Sequence, residues 1–277
     1  MANEKGIEDA AFSALLEEIN DKISEYENFE SNEEIANYIN DLKKAWVDAM
    51  VSGAEVGDYL DGIILNPDFE TGNINYWTDT FTAGNHGFQN NATYNDEEGT
   101  AVIANFAECW NNNNNLVNGE ISQTLAAALP EGNYQLEVDG YAINQSQNGG
   151  IREDGIQGVY LFVKIGDEII KQSIAVDGVE SANNIAKHWT LGFHSNGTET
   201  ITVGVMAEDA NCNWTAFDNF KLKYFADQEP TAVNAIEVKA VAPKAIYTLD
   251  GRQTNALRRG INIVRKADGS VEKVLVK

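Results

Sequence analysis

The spacing of hydrophobic and polar positions divides the chain into three regions, of which the first is helical. In residues 1–60 the apolar side chains recur every three or four positions, which is the period of an amphipathic helix. The pattern predicts one helix over residues 7–28 and a second over 31–52, with a capping box at Ser31 and Glu34 where the second begins. We therefore expect a helical hairpin that serves as a packing or spacing element.

The second region, residues 61–226, changes to the two-residue period of β-strands. Nine alternating or apolar segments follow one another, separated by turns rich in Gly, Asn and Asp, and no helical pattern lies between them. Many short strands at this spacing are typical of one β-sandwich or jelly roll. We predict a mainly β fold with a jelly-roll β-sandwich as its central domain.

The last segment of this region, "FDNFKLKYF", raises a question about Asp218. Strict alternation puts Phe220, Leu222 and Tyr224 on the buried face, and the same face receives Asp218. We expect the strand to begin at this residue. A carboxylate aimed at a core needs a partner, because an unpaired buried charge is costly.

The third region, residues 227–277, contains two Asp-Gly pairs between strand-like runs, in "KAIYTLDGRQT" and "INIVRKADGSVEKVLVK". Asp-Gly in such a position is a strong signal of a β-hairpin. We therefore predict a small antiparallel β-module. The region also differs in charge, because it carries 9 basic and 6 acidic side chains in a chain whose formal charge is −24.

The strongly acidic remainder of the chain limits the partners that it can bind. It would repel phosphate backbones, which argues against binding to nucleic acid. No apolar run approaches the length of about 18 residues that a membrane-spanning helix needs, so we expect no transmembrane segment. The helical region also begins without the charged and apolar pattern of a signal peptide.

Four stretches follow one another along the second region: "LNPDFETGNINYWT", "FAECWN", "SQTLAAALPEGNYQLEVDGYA" and "WTAFDNFKLKYF". Over residues 62–226 they resemble the galactose-binding-like β-sandwich domains of secreted bacterial carbohydrate-binding proteins. The third region is similar to C-terminal β-modules on surface and secreted proteins of polysaccharide-foraging gut bacteria. The resemblance implies a non-catalytic carbohydrate-binding module that is secreted or on the cell surface, its signal peptide removed, with other domains or surface proteins as further partners.

The resemblance also implies a structural calcium ion. In related modules, the carboxylate after the Phe of the first strand and the Asp of the last strand share this ion. The matching positions here are Glu70 and Asp218, with the carbonyl of Asp68 as a third ligand. A hard cation that takes 6–8 oxygen ligands would neutralise both carboxylates. The alternative is that Asp218 caps a turn by accepting hydrogen bonds from backbone N–H groups.

Sugar binding needs a flat aromatic ring that stacks on a pyranose and polar groups that bond its hydroxyls. Trp110, before "NNNNN", and Trp214, in "DANCNWT", are expected to lie in Asn-rich loops and to form a shallow binding surface. The alternative is that each only anchors its loop onto the sandwich. Weaker candidates near the loop after "VDGYAI" are Tyr141, Asn144 and Arg152. The other tryptophans are expected in the core (Trp46 and Trp77) or on either face of a strand (Trp189).

The two cysteines, Cys109 and Cys212, each lie within two residues of one of the candidate tryptophans. In an extracellular sandwich such a pair can form a disulfide. The alternative is two independently placed small residues, because sequence does not give the separation that a disulfide requires. The spacing matches no zinc motif.

No sequence signature of a hydrolase, metalloprotease, phosphate loop or dinucleotide site is present. A pair of glycosidase carboxylates would be recognisable only from its separation in the fold, about 5–9.5 Å. Three functions therefore compete: non-catalytic carbohydrate binding, an adhesion or scaffold module, and a glycan-active enzyme or its accessory part. The resemblance favours the first.

Overall fold

The computed structural model describes residues 17, 21, 31–95, 101–144, 155–176, 186–228 and 230, and towards the C-terminus residues 245–248, 253–254, 260–265 and 271–276. The chain divides into two compact units, Met1–Asn234 and Ala235–Lys277. The first contains a helix and a two-sheet β-domain, and the second contains one four-stranded sheet.

Helix α1 (Asn32–Ser52) begins where the capping box predicts. The side chain of Ser31 accepts a hydrogen bond from the backbone N–H of Glu34 at 3.1 Å, which satisfies one of the free donors of the first turn. Val47 and Val51, near the C-terminal end of the helix, are buried in the same core as the sandwich. The second predicted helix is therefore confirmed. Of the first, the described residues are Glu17 and Asp21, which are both helical.

Ten strands of the first unit form two five-stranded antiparallel sheets, in the orders β1-β4-β9-β6-β7 and β2-β3-β10-β5-β8. The predicted β-sandwich is thus confirmed. The strands of this unit are β1 Thr78–Asp79, β2 Asn85–Asn95, β3 Ala101–Trp110, β4 Gly119–Thr124, β5 Gly132–Ile143, β6 Val159–Ile165, β7 Glu168–Ser173, β8 Lys187–Ser195, β9 Ile201–Ala207 and β10 Trp214–Ala226. Those of the second unit are β11 Ala245–Thr248, β12 Gln253–Thr254, β13 Gly260–Arg265 and β14 Val271–Val276.

The core lies between the two sheets, and side-chain alternation fixes which residues enter it. In β5, Tyr134, Leu136 and Val138 are fully buried. Because successive side chains point to opposite faces, Glu137 and Asp139 lie on the outer face of the same strand. Burial of each large apolar side chain contributes about 1.5–3 kcal/mol, which is what holds the sheets together.

Strand β10 departs from strict alternation at a β-bulge. Asp218 pairs with Asp139, but the next paired residue, Lys221, lies opposite Glu137, so that β10 contains one residue more than β5 over this stretch. The φ of Asn219 is +57°, the backbone conformation that such a bulge needs.

The bulge reverses the faces that the sequence predicted for the start of β10. Phe217 and Phe220 both project into the core, with ring centroids 5.9 Å apart, and Asp218 lies on the outer face with Trp214. The expectation that Asp218 points into the core is therefore wrong, and so is the expectation that the strand begins there, because β10 begins at Trp214.

The second unit is an antiparallel sheet in the order β12-β11-β13-β14. Both Asp-Gly pairs fall between consecutive paired strands, β11 with β12 and β13 with β14. The hairpin signals in the sequence therefore predicted the right pairings. In the described part of the chain, no helix has the length and hydrophobicity that crossing a lipid bilayer would require.

Candidate functional site

Trp110 and Trp214 lie side by side on the outer face of the second sheet. Trp110 is the last residue of β3, Trp214 is the first residue of β10, and the two are direct partners across these antiparallel strands. Cross-strand partners project on the same side, so the two indoles share one surface. The expectation that they lie in loops is wrong, but the expectation that they lie together is confirmed. Both are partly exposed.

The ring of Trp214 is held in a fixed orientation. Its Nε1–H donates a hydrogen bond to Oε2 of Glu108 at 2.8 Å. Its ring also meets the ring of Tyr141 edge-on, with centroids 5.4 Å apart and planes at 88°. Such an arrangement is favourable because the positive edge of one ring faces the negative face of the other. We call Trp110, Trp214 and Glu108 the tryptophan face.

Glu108 is nearly inaccessible to solvent, with 7% of its surface exposed. Burial raises the pKa of its carboxyl group, and the hydrogen bond from Trp214 partly offsets this. Glu108 lies directly opposite Ala216, a residue without a polar side chain. The Glu108 carboxylate therefore orients the indole of Trp214 from a buried position. The solvent-accessible part of the tryptophan face consists mainly of the two indole rings.

The weaker sequence candidates do not join this surface as expected. Tyr141 lies within β5 and is fully buried, so it is not available to a ligand. It packs edge-on against the ring of Trp214. Asn144 follows directly on β5 and is partly buried. Arg152 lies outside the described residues.

Asp218 is a buried carboxylate with an unsatisfied atom. It is 3% exposed, and its Oδ1 has no hydrogen-bond partner among the described residues. Burial and, to a lesser extent, the negative charges of Asp68, Asp139 and Glu70 raise its pKa to about 8, although a hydrogen bond from the backbone N–H of Asn219 acts in the opposite direction. The site therefore disfavours a charged Asp218 unless a cation is present.

The three predicted calcium ligands lie in one neighbourhood but do not form a closed set. Glu70 is exposed, and its Oε2 accepts a hydrogen bond from Asn105 at 2.7 Å. Asp68 accepts one from the backbone N–H of Glu70 at 3.3 Å. Among the described residues, no three His, Cys, Asp or Glu side chains are arranged to hold a metal ion. A cation at Asp218 would therefore need backbone carbonyl or amide oxygens as well, which are ligands that calcium accepts.

A second buried carboxylate on the same sheet, Glu137, is fully paired. Its Oε1 lies 3.0 Å from Nζ of Lys223, and its Oε2 accepts a hydrogen bond from the Tyr59 hydroxyl at 3.0 Å and lies 3.5 Å from Nε2 of His188. Burial raises the pKa of Glu137, but these partners lower it more, to about 2. Nδ1 of His188 also contacts Asp139 at 2.8 Å.

The two cysteines are free thiols, both fully buried. The pKa of each is raised to about 12, mainly by burial and at Cys109 also by the nearby charges of Asp79 and Glu108. A thiol with such a pKa carries almost no thiolate at neutral pH and is a poor nucleophile. The structure contains no disulfide between Cys109 and Cys212, and both serve as small core residues.

The other tryptophans and histidines take structural positions. Trp77 is buried between Phe69 and Phe220, which confirms its predicted core role. Trp46 packs against the core from α1, and Trp189 is partly buried with its Nε1–H bonded to the carbonyl of Gly140. The two remaining histidines bond to neighbouring strands or turns, as His86 to Asp79 and His194 to Asn133.

Tyr76 is a residue that the sequence patterns did not single out. It is 66% exposed, the highest value among the large hydrophobic side chains in the described ranges. Its backbone φ is +76°, a conformation that bulky residues rarely adopt. The sequence did indicate a turn before Trp77, but nothing in its pattern shows which turn residue takes a positive φ.

Comparisons with known proteins give no family for this chain. No protein-family model matches it, and no curated protein sequence matches it. Among solved structures, a cyclase from Fischerella sp. TAU is 19% identical, with 60% of this chain and 96% of that chain covered and a TM-score of 0.44.

Two carbohydrate-binding modules are also among the structural matches. The CBM22-1 xylan-binding domain from Paenibacillus barcinonensis Xyn10C is 9% identical, with 64% of this chain and all of that chain covered and a TM-score of 0.41. TmCBM61, solved with beta-1,4-galactotriose, is 17% identical, with 58% and 97% covered and a TM-score of 0.38. At such identities and scores the matches do not assign a function, which must be argued from the site.

Proposed function

We propose that the protein binds carbohydrate, without catalysing a reaction on it, at the tryptophan face. The observation that carries this proposal is the cross-strand pair of Trp110 and Trp214, both partly exposed on one side of the sheet. Two indoles on neighbouring strands, about 5 Å apart at their Cβ atoms, form an apolar strip of the width of a sugar ring. Such a strip stacks on the C–H face of a pyranose.

The fixed orientation of Trp214 supports the same function. A ring that is already held by Glu108 and Tyr141 loses little freedom when a ligand binds, so less affinity is lost to ordering. The formal charge of −24 favours a neutral glycan over an acidic one, because like charges repel. A secreted or cell-surface location, where polysaccharides occur, is part of the proposal.

Affinity electrophoresis tests this function in gels that contain xylan, β-1,4-galactan, β-glucan or mannan. We expect at least one of them to retard the protein, and we expect Trp110→Ala to lose at least tenfold in apparent affinity, the effect of about 1.4 kcal/mol of lost stacking. Trp110→Phe, which keeps a flat ring, is the matched control and should retain most of the binding. The melting temperature of each variant reports whether the fold is intact.

The same experiment separates the competing functions. Absence of retardation by all four polysaccharides would contradict carbohydrate binding and would favour an adhesion or scaffold module. Release of reducing ends during incubation with the polysaccharide that binds would show a glycan-active enzyme. Retardation that is unchanged in Trp110→Ala and in Trp214→Ala would place the site elsewhere on the molecule.

We further propose that Asp218 binds a structural calcium ion, with Glu70 and the carbonyl of Asp68 as the other protein ligands. The unsatisfied Oδ1 of Asp218 supports a bound cation, since the charged carboxylate would otherwise have no partner at this atom. The raised pKa agrees with this, because without a cation the buried group keeps its proton. The ion would fix the bulge at Asn219. It would stabilise β10, the strand that also carries Trp214.

A further inference from the structure

The loop of residues 65–77, which we call the Tyr76 loop, presents an exposed aromatic ring in a strained position. The carbonyl of Ile74 accepts a hydrogen bond from the backbone N–H of Trp77 at 3.0 Å, so Tyr76 is the third residue of a β-turn. Its φ of +76° is that of a type II turn, in which this position strongly favours Gly or Asn. A tyrosine here makes the turn less stable than glycine would, and 66% of its surface is exposed to solvent.

The rest of the loop keeps Tyr76 in this conformation. The side chain of Asn66 donates hydrogen bonds to the carbonyls of Asn73 at 2.9 Å and Asn75 at 3.4 Å, and its Oδ1 accepts one from the Thr71 hydroxyl at 2.8 Å. The Asn73 side chain accepts a hydrogen bond from the backbone N–H of Asn75 at 2.8 Å. The residue before Tyr76 is therefore fixed by the loop itself.

The residue after Tyr76 is fixed by the core. Trp77 is buried, its Nε1–H donates to the carbonyl of Asn66 at 3.0 Å, and its ring packs on Phe69 and Phe220 at centroid distances of 5.4 and 4.7 Å. Tyr76 thus stands on a rigid support although it is exposed. Backbone strain that the surroundings maintain is a feature of functional sites, because it presents a side chain in one defined position.

We propose that Tyr76 is the stacking platform of a second carbohydrate-binding surface, separate from the tryptophan face. An aromatic ring with a polar edge suits a ligand that has both a C–H face and hydroxyl groups. The exposed residues beside it in sequence, Asn75 and Thr78, offer polar groups for such hydroxyls. A protein partner would instead need a wide interface with an apolar centre, and the polar residues around this single ring do not provide one.

The second surface belongs to a different part of the first unit from the tryptophan face. Tyr76 lies in the loop before β1, whereas Trp110 and Trp214 lie at the ends of β3 and β10. A polysaccharide chain that contacts both surfaces is attached at two points, which raises the apparent affinity without any new contact at either point.

The class of ligand expected at Tyr76 rests on the proposed carbohydrate-binding function, but the location of this second surface does not depend on the tryptophan face. Fluorine NMR distinguishes binding at Tyr76 from binding at the tryptophan face. The full chain is labelled with 3-fluorotyrosine, and the resonance of Tyr76 is assigned as the one among ten that Tyr76→Phe removes. β-1,4-galactotriose and xylohexaose are then titrated into the wild-type protein and into Trp110→Ala.

We expect one of the oligosaccharides to shift the Tyr76 resonance in a saturable way, equally in the wild-type protein and in Trp110→Ala. If the oligosaccharides leave the Tyr76 resonance unshifted while polysaccharide still retards the wild-type protein more than Trp110→Ala, the second surface is wrong and the proposed function stands. If Tyr76 shifts and Trp110→Ala binds polysaccharide as well as wild type, the proposed site fails and the second surface stands. The absence of any shift at Tyr76 with both sugars overturns the inference.

Substitution of Tyr76 by glycine gives a second test, because binding should weaken while stability should be kept or should increase. Tyr76→Gly should reduce retardation by the polysaccharide at least tenfold, while its melting temperature should equal or exceed that of the wild type because glycine relieves the strain. Tyr76→Phe should keep the binding. Ile169→Ala, which shortens another exposed apolar residue (47% exposed), is the matched surface control. Loss of stability in Tyr76→Gly, or dimerisation of the wild type that this variant abolishes, would contradict the inference.

Discussion

Two buried carboxylates on the same sheet, Glu137 in β5 and Asp218 in β10, differ sharply in their surroundings. Each has 3% of its surface exposed. Glu137 is contacted by Tyr59, His188 and Lys223, whereas Oδ1 of Asp218 has no hydrogen-bond partner in the described part of the chain. Their pKa values diverge accordingly, to about 2 for Glu137 and about 8 for Asp218.

The difference shows that the partners, more than the burial, decide the charge state of a buried carboxyl group. Desolvation raises the pKa at both sites, but only at Glu137 do hydrogen bonds and a cation outweigh it. Glu137 joins the segment before the sandwich to the sheet, through Tyr59. Asp218 has no such partners in the described part of the chain, so its carboxyl group is held largely in the neutral form.

The largest effect is expected from removing the cation that balances Glu137. Lys223→Met keeps most of the apolar stem but leaves a buried carboxylate without its ammonium partner. Because the lysine is partly exposed and two other partners remain, we expect the free energy of unfolding to fall by about 2 kcal/mol, less than for a fully buried pair. Urea denaturation measures it.

Lys221→Met is the matched control for this substitution. Lys221 lies two residues earlier on β10, is exposed, and approaches the same Tyr59 ring with its Nζ 5.5 Å from the centroid. Among the described residues it forms no ion pair with Glu137, unlike Lys223. Its removal should change stability by no more than about 0.5 kcal/mol. Equal losses in the two variants would show that Glu137 does not depend on Lys223.

An effect of intermediate size is expected at Asp218. The proposed calcium ion would give this carboxylate a cationic partner, as Lys223 does for Glu137. With free calcium at ten times its dissociation constant, the wild-type protein should be stabilised by about 1.4 kcal/mol relative to the protein in chelator. Asp218→Asn, which removes the charge and keeps the shape, should lose this dependence. Thermal unfolding in calcium and in EDTA measures it.

Asp167→Asn, at an exposed carboxylate in the turn between β6 and β7, should respond to calcium as the wild type does. If chelator leaves the unfolding of the wild-type protein unchanged, the calcium proposal is wrong. Asp218 would then be a protonated carboxyl group, as its pKa of about 8 indicates for the protein without a cation.

The sequence predicted the elements well because each depends on local signals. The capping box at Ser31 marks the start of α1, and the period of two marks the strands of the sandwich. It failed at Asp218 because a bulge adds one residue to a strand without changing its composition. The face of every residue before the bulge is then reversed. Trp214 was expected in a loop for a different reason: it lies in the Asn-rich stretch "DANCNWT", before the predicted start of the strand, whereas β10 begins at Trp214.

The candidate site was predicted in part, for a related reason. The neighbourhood of Trp110 and Trp214 could be inferred from the cysteine that lies beside each of them, but their exact pairing depends on the register of β3 and β10, which distant parts of the chain determine. The partners of Glu137 come from three separate segments, so no short motif contains them. Tyr76 was missed because its significance lies in a backbone angle that the residue type itself disfavours.

The smallest effect is expected from pH, and it tests whether His188 helps to keep Glu137 charged. Hydrogen bonds to Asp139 and to Glu137 raise the pKa of His188 to about 9, whereas an unfolded histidine titrates near 6.5. A raised histidine pKa stabilises the fold fully below pH 6.5, and this contribution is lost as the pH rises towards 9. The lowered pKa of Glu137 acts in the other direction, since its contribution is present above about pH 4.5 and is lost as the pH falls towards 2.

The stability difference between the wild type and His188→Gln should therefore be greatest between about pH 4.5 and 6.5 and should shrink on either side. The side chain of His188 is 53% exposed, so solvent screens it, and we expect a difference below 1 kcal/mol, or about 1–2 °C in melting temperature. His194→Gln on the same strand is the control, because His194 bonds to the neutral amide of Asn133. A difference for His188→Gln that stays constant from pH 5 to pH 9 would mean that this histidine acts through packing, and that Tyr59 and Lys223 alone keep Glu137 charged.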